Sequence, residues 1–247
     1  MTKSVWTSYV TATVVVGLFL TARAASASAI LVHDYELNGS LSDGLGGPSL
    51  VANGGTLGAS GYAFGANQGL SLSGGINATD YSIVVDFSIA NTSGYRKLVD
   101  FKNRLSDNGL YNLSTQLSFY PAASGPALAL QANNAVRLAL TRDGSTNTTT
   151  GYVNSALQFA FVDGAALATF TGPGSIVNLF MDDFVTGQGE ASAGFADAIR
   201  IYDGALTASE VMQVPGAELP GTSVPEPASL LLLGSGIVAL ARRRARR

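Results

Sequence analysis

The chain has 247 residues with no cysteine, one histidine, and 17 acidic against 14 basic side chains. Lacking thiols, it has no cysteine nucleophile or cysteine-ligated zinc, and a histidine-dependent triad could be built only on His33. Half of the basic residues sit in the two ends, so Ile30 to Val224 holds 7 basic and 16 acidic residues, a balance of −9 that repels nucleic acid and other polyanions.

The first segment, residues 1–29, is laid out as a signal peptide. Lys3 supplies the positive charge, Val10 to Leu20 the apolar run, and Ala25 to Ala29 the small residues, with cleavage expected after Ala27 or after Ala29. The apolar run is short for a permanent span of about 20 residues.

From residue 30 the pattern changes to period two, the mark of strands with one buried face. In Ser82 to Ile89 the residues Ile83, Val85, Phe87 and Ile89 point one way and Asp86 the other. Val136, Leu138 and Leu140 alternate with Arg137 and Thr141, Leu157 aligns with Phe159 and Phe161, and Ile199 and Ile201 flank Arg200. Asp-Gly turn signals follow at Asp143, Asp163 and Asp203. Many short strands with tight turns predict an antiparallel all-β sandwich rather than βαβ units. One helix is expected. Thr207 and Glu210 make a capping box that starts it, and it should run to about Gln213 before Pro215 and Gly216 close the domain at 214. Residues 215–223 then read as a linker.

The last segment, 224–247, joins three features in order. Pro225-Glu226-Pro227 breaks regular structure, Ala228 to Ala241 carries no charge, and Arg242, Arg243 and Arg244 begin a basic cluster that ends at Arg247. An apolar segment closed by arginines is a stop-transfer element with its charges held on the cytoplasmic side.

This tail resembles the PEP-CTERM sorting signal of Gram-negative bacteria that make extracellular polysaccharide. The resemblance implies a protein carried across the inner membrane, held there transiently by a hydrophobic helix, processed by an exosortase-type enzyme and released to the cell surface or extracellular matrix. The order of features between the ends resembles a LamG-like domain, a concanavalin A-like jelly roll. Asp34 to Asp43 matches that family's first strand and loop, and Gly194 to Val211 its last strand and terminal helix. Leu98 to Lys102 and Asp107 to Tyr111 match its middle block. The expected architecture is therefore a β-sandwich over 30–214 with one short C-terminal helix, flanked by a signal helix and a hydrophobic sorting helix.

Candidate chemistry is sparse. Asp34 and Glu36 share one strand face, but no acidic strand of the type Glu-x-Asp-x-x-Glu occurs, so no catalytic residue is assigned. Asp182, Asp183 and Glu190, with Asp197, lie in a glycine-rich stretch whose flexibility would let carboxylates converge on Ca²⁺. LamG-like relatives hold calcium in loops or near the paired chain ends, which adds Asp34 to Asp182, Asp183 and Glu190 as candidate ligands. Sugar recognition would need exposed aromatic rings, for which Tyr62, Phe64, Tyr95, Tyr111, Tyr120 and Phe184 stand outside the alternating positions. The glycine-rich run Gly54 to Gly75 has no phosphate-loop lysine, and His33 is read as structural. The expected function is an exported, noncatalytic surface or matrix protein that binds carbohydrate or another matrix component. The alternatives are a glycoside hydrolase or lyase on the same fold, and a purely structural matrix component.

Overall fold

A computed structural model describes residues 28–171 and 174–215. Nearly all of the signal segment, and the linker and sorting tail from residue 216 onward, lie outside the described residues. Among those described, no helix is long and apolar enough to cross a membrane.

The chain begins with β1 (Ile30–Tyr35), β2 (Val51–Ala52), β3 (Thr56–Gly58), β4 (Gly61–Phe64) and β5 (Leu70–Leu72). Five strands make its middle: β6 (Tyr81–Ile89), β7 (Tyr95–Asp100), β8 (Gly109–Leu113), β9 (Gln116–Tyr120) and β10 (Ala123–Ser124). The rest are β11 (Val136–Asp143), β12 (Thr148–Val153), β13 (Ala156–Val162), β14 (Val177–Leu179), β15 (Gly194–Asp203) and one helical turn, α1 (Ala208–Val211). They form two antiparallel sheets. One has the order β13-β12-β11-β6-β15-β4-β3, with β1 also pairing β15; the other has the order β10-β9-β8-β7-β14-β5-β2.

The alternation read from the sequence builds the core, except at Leu157, which a register shift between β12 and β13 leaves 59% exposed. Ile83, Val85 and Phe87 of β6, Leu138 and Leu140 of β11, and Ile199 and Ile201 of β15 meet Val99, Leu110, Phe119 and Leu179 of the second sheet. Phe101, Phe119 and Phe170 pack ring to ring at the centre, with centroids 5.3 and 4.7 Å from Phe101. Stacked sheets about 10 Å apart are filled by such interdigitated side chains.

The opposite face of the eight-stranded sheet is also covered. Val211 and Val214 pack on Val84, Ala139, Tyr152 and Tyr202. The capping box forms as its sequence dictates, with Thr207 Oγ1 accepting from Glu210 N–H and Glu210 Oε2 accepting from Thr207 N–H at 2.8 Å. The helix ends at Val211, short of the expected Gln213, because the chain turns down to bury Val214. Arg137 Nη1 then donates to the Val214 carbonyl at 2.5 Å. Ser28 Oγ donates to Glu210 Oε1 at 2.8 Å, so both ends of the domain meet on this face.

His33 is structural, as expected. Its Nδ1 faces Asp43 Oδ2 at 2.7 Å and its Nε2 faces the Gly75 carbonyl at 2.6 Å. Gly47 lets the loop close on this pair, since a Cβ there would lie 2.4 Å from Asp43 Oδ2 and 2.6 Å from the imidazole. Burial alone would raise the Asp43 carboxyl. The N–H groups of Asp34, Leu45 and Gly47, together with His33, outweigh burial and hold it below the ordinary carboxylate value. A depressed acid stabilises the fold above its unfolded pKa and loses that contribution as the pH falls through the folded value. The acid limb of a Tm-against-pH curve below about pH 4 should therefore be steeper for the wild type than for Asp43→Asn, which starts lower at neutral pH. Parallel limbs would remove Asp43 as the cause.

Candidate functional site

The outer face of the seven-stranded sheet is polar where an isolated sheet would face water. Period two along β7 alone would put Lys97 and Asp100 on opposite faces. A bulge between Lys97 and Val99 inserts one residue against β8, so Lys97 pairs Tyr111, Asp100 pairs Gly109, and both side chains leave on the outer face. Tyr111, Ser118 and Tyr120 share that face through the β8–β9 register.

Two loops close over it. The loop after β7 is fixed by Arg104, whose N–H donates to Asp100 Oδ1 at 2.7 Å and whose Nε donates to the Asp182 carbonyl at 2.6 Å. Its guanidinium lies 4.4 Å above the Phe184 ring. The loop after β14 is tied to β7 at its far end, where Lys97 N–H donates to the Glu190 carbonyl at 2.8 Å. Beneath these loops Lys97, Asp100, Asp182 and Asp183 have fully buried side chains. Lys97 Nζ contacts Asp183 Oδ2 directly and lies 3.8 Å from Asp100 Oδ2 and 4.0 Å from Asp182 Oδ1. The same ammonium sits 4.8 Å above the Tyr111 ring centroid. Burial raises the Asp100 carboxyl despite the Arg104 N–H and Lys97. Burial also acts to raise Asp183, but Lys97 and the N–H groups of Thr186 and Val185 overcome it and lower that carboxyl.

Beside this buried cluster opens a cleft of about 260 Å³ lined by Tyr95, Asp107, Tyr120 and Glu190. A second hollow of about 330 Å³ continues it along β9 and β10 and shares both tyrosines. Tyr95, Tyr111 and Tyr120 pack edge to face, with Tyr95 centroids 5.4 and 5.7 Å from the other two. Tyr111 is buried and donates to Asp107 Oδ1 at 3.0 Å, while Tyr95 is half-buried and Tyr120 is 37% exposed. Burial, and then the neighbouring charges of Asp182, Asp107 and Asp183, push the Glu190 carboxyl up.

The four expected calcium ligands are not brought together. Asp34 lies on β1 in the other sheet, where Arg200 Nε meets its Oδ1 at 3.1 Å and Arg200 also pairs with Glu36. Asp182 and Asp183 converge as the glycine-rich stretch suggested, with Glu190 N–H donating to Asp182 Oδ2 at 2.8 Å. The charge at their centre is the Lys97 ammonium, which stands where a cation would have to bind, so these residues do not fit Ca²⁺. Among the described residues no group of three or more His, Cys, Asp or Glu side chains is arranged to hold a metal. Of the aromatic candidates, Tyr62, Phe64 and Tyr111 are buried, Phe184 is exposed under Arg104, and Tyr95 and Tyr120 line the cleft.

The fold is shared with solved β-sandwiches. Domain 4 of an extracellular arabinanase from Geobacillus stearothermophilus, solved in complex with arabinotriose, is similar at 21% identity and a TM-score of 0.56, over 75% of this chain and 98% of that one. The binding domain of botulinum neurotoxin serotype D matches at 11% identity and 0.55, over 74% of this chain and 51% of that one. A Trypanosoma rangeli sialidase matches at 15% identity and 0.53, over 76% and 32%. The chain thus spans nearly all of the arabinanase domain but only about half and a third of the other two. No curated protein matches it by sequence. These likenesses are of fold alone, a sandwich of two antiparallel sheets as expected.

The tail is more specific. Residues 223–247 match the model of the PEP-CTERM protein-sorting motif. The chain carries that motif, which marks an exported, surface-directed protein and implies exosortase-mediated processing.

Proposed function

We propose that the domain binds carbohydrate at the cell surface, without catalysis, through the cleft between Tyr95 and Tyr120. The observation that carries this reading is the cleft itself. Two accessible aromatic rings meet two carboxylates, Asp107 and Glu190, in one depression, and sugars are held by ring faces together with hydrogen-bond acceptors for their hydroxyls. The negative lining favours neutral or amino sugars over uronic acids. The arabinanase domain, a similar sandwich solved with arabinotriose, supports the ligand class. Extracellular polysaccharide is the partner that the exported location would offer. Transient anchoring in the inner membrane before exosortase processing belongs to the same reading.

A second reading rests on Asp107 and Glu190 flanking the same cleft with the Glu190 carboxyl raised, the pairing of a general acid and its partner in a glycoside hydrolase. One experiment separates the two. Glycan binding by the full chain, measured with and without EDTA, should be unchanged by the chelator, and Tyr95→Ala and Tyr120→Ala should each weaken it about tenfold, the effect of losing roughly one aromatic contact. Binding that survives both substitutions would sink the site. Release of reducing ends from the bound glycan, abolished by Glu190→Gln, would favour the hydrolase.

A further inference from the structure

Among the described residues, the densest group of buried charges lies behind the cleft. Three carboxylates surround a single ammonium, and all four side chains are fully buried. Ion pairs taken out of water keep a large desolvation cost unless every lone pair finds a partner. Here they do not, because Asp100 Oδ2 and Asp182 Oδ1 accept no hydrogen bond although both are buried and aimed at Lys97 Nζ. As a set of salt bridges the arrangement is poorly satisfied. As a reaction site it is complete.

We propose that Lys97 and Asp183 condense spontaneously to an intramolecular amide that staples β7 to the loop after β14. The Lys97 nitrogen is the nucleophile and touches the carboxyl group it would attack. Asp183 Oδ1 accepts the N–H groups of Val185 at 2.8 Å and Thr186 at 3.0 Å, two fixed donors that stabilise the negative charge developing on that oxygen when nitrogen adds to the carbon. Asp183 Oδ2, the oxygen that departs, is in direct contact with the Lys97 ammonium, which can hand it a proton. Asp100 Oδ2 and Asp182 Oδ1, both free of other donors, stand ready to take protons from the ammonium.

The balance closes within the pair. A bond forms between Lys97 Nζ and Asp183 Cγ, and the bond from Cγ to Oδ2 breaks. Two of the three ammonium protons reach the departing oxygen, one directly across the Nζ–Oδ2 contact and one by way of the neighbouring carboxylates, and one water leaves. No oxidant, activated ester or cofactor is consumed. The step removes a buried charge pair, and the site excludes the water that would reverse it.

The sequence fits such a bond in two further ways. The chain has no cysteine, so it cannot lock its loops with disulfides outside the cell. An amide between residues separated by 86 positions would restrict the unfolded chain as a disulfide does. Gly109 gives the lysine its room, since a Cβ there would sit 2.9 Å from the Val99 carbonyl and 3.4 Å from Lys97 Cε.

The test is a tryptic peptide map of the full chain with mass analysis. Trypsin should fail to cut after Lys97, and peptide 97–102 should appear joined to peptide 143–200, lighter by one water than the two together. Lys97→Arg, whose guanidinium is not a nucleophile, should be cut after residue 97 and give peptides 98–102 and 143–200 unjoined and at full mass. Recovery of free, unlinked peptides from the wild type would overturn the proposal, as would a link from Lys97 to Asp100 or Asp182. A water loss that persists in Lys97→Arg would also overturn it, by assigning the loss to succinimide formation at an Asp-Gly pair such as Asp163-Gly164.

Discussion

Asp86→Ala should destabilise the domain by about 3–5 kcal/mol, the cost of removing one partner from a buried, hydrogen-bonded charge pair. Asp86 lies in the middle of β6 and is 2% exposed. Its two oxygens accept from Arg137 Nε at 2.7 Å and Nη2 at 2.8 Å, and Arg200 Nη1 approaches to 3.7 Å. Without the carboxylate, Arg137 keeps only the Val214 carbonyl, so the closing turn should loosen with it. Arg200 keeps Asp34 and Glu36. Chemical denaturation checks the magnitude, and a double change, Asp86→Leu with Arg137→Met, checks the cause. A double variant near wild-type stability would show that the single change is costly because it strands a charge. A double variant as weak as Asp86→Ala would assign the loss to packing.

Phe101→Ala should cost a similar amount for a different reason. Phe101 is fully buried between Phe119 and Phe170, and truncation removes transfer energy and leaves a cavity that two rigid sheets cannot fill, about 3–5 kcal/mol for a large aromatic. At roughly 2–4 °C per kcal/mol for a domain of this size, the melting temperature should fall by about 10 °C. Phe101→Leu should recover most of it. If Phe101→Ala melts within about 2 °C of the wild type, the centre of the core lies elsewhere.

The strands that carry the core were legible because burial of alternate residues leaves a repeat in the sequence. Ile83, Val85 and Phe87 read as one face and proved to be one. The helix start was legible for an equally local reason, since Thr207 and Glu210 satisfy each other's backbone within one turn. Its end was not, because Val214 is fixed by Arg137, 77 residues away. The buried lysine was hidden by the bulge in β7. Lys97 and Asp100 are three apart, a spacing that ordinary pleating sends to opposite faces, and only the extra residue in the strand reunites them. Two apolar residues directly after it, Leu98 and Val99, were the one signal that could have pointed to a buried lysine, and the neighbouring Arg96 masks it. The carboxylates were visible as a cluster, but composition cannot tell whether the positive charge among them is a metal or a side chain. Asp34 failed as their companion because it belongs to the other sheet, where Arg200 claims it.

The meeting of Ser28 with Glu210, and of Val214 with Arg137, puts both ends of the described chain on one face of the domain. The described chain therefore ends at the back of the eight-stranded sheet, while Tyr95 and Tyr120 open on the outer side of the seven-stranded one. A partner that grips the closing turn at Val214 thus approaches from the side opposite the two tyrosines and leaves them uncovered.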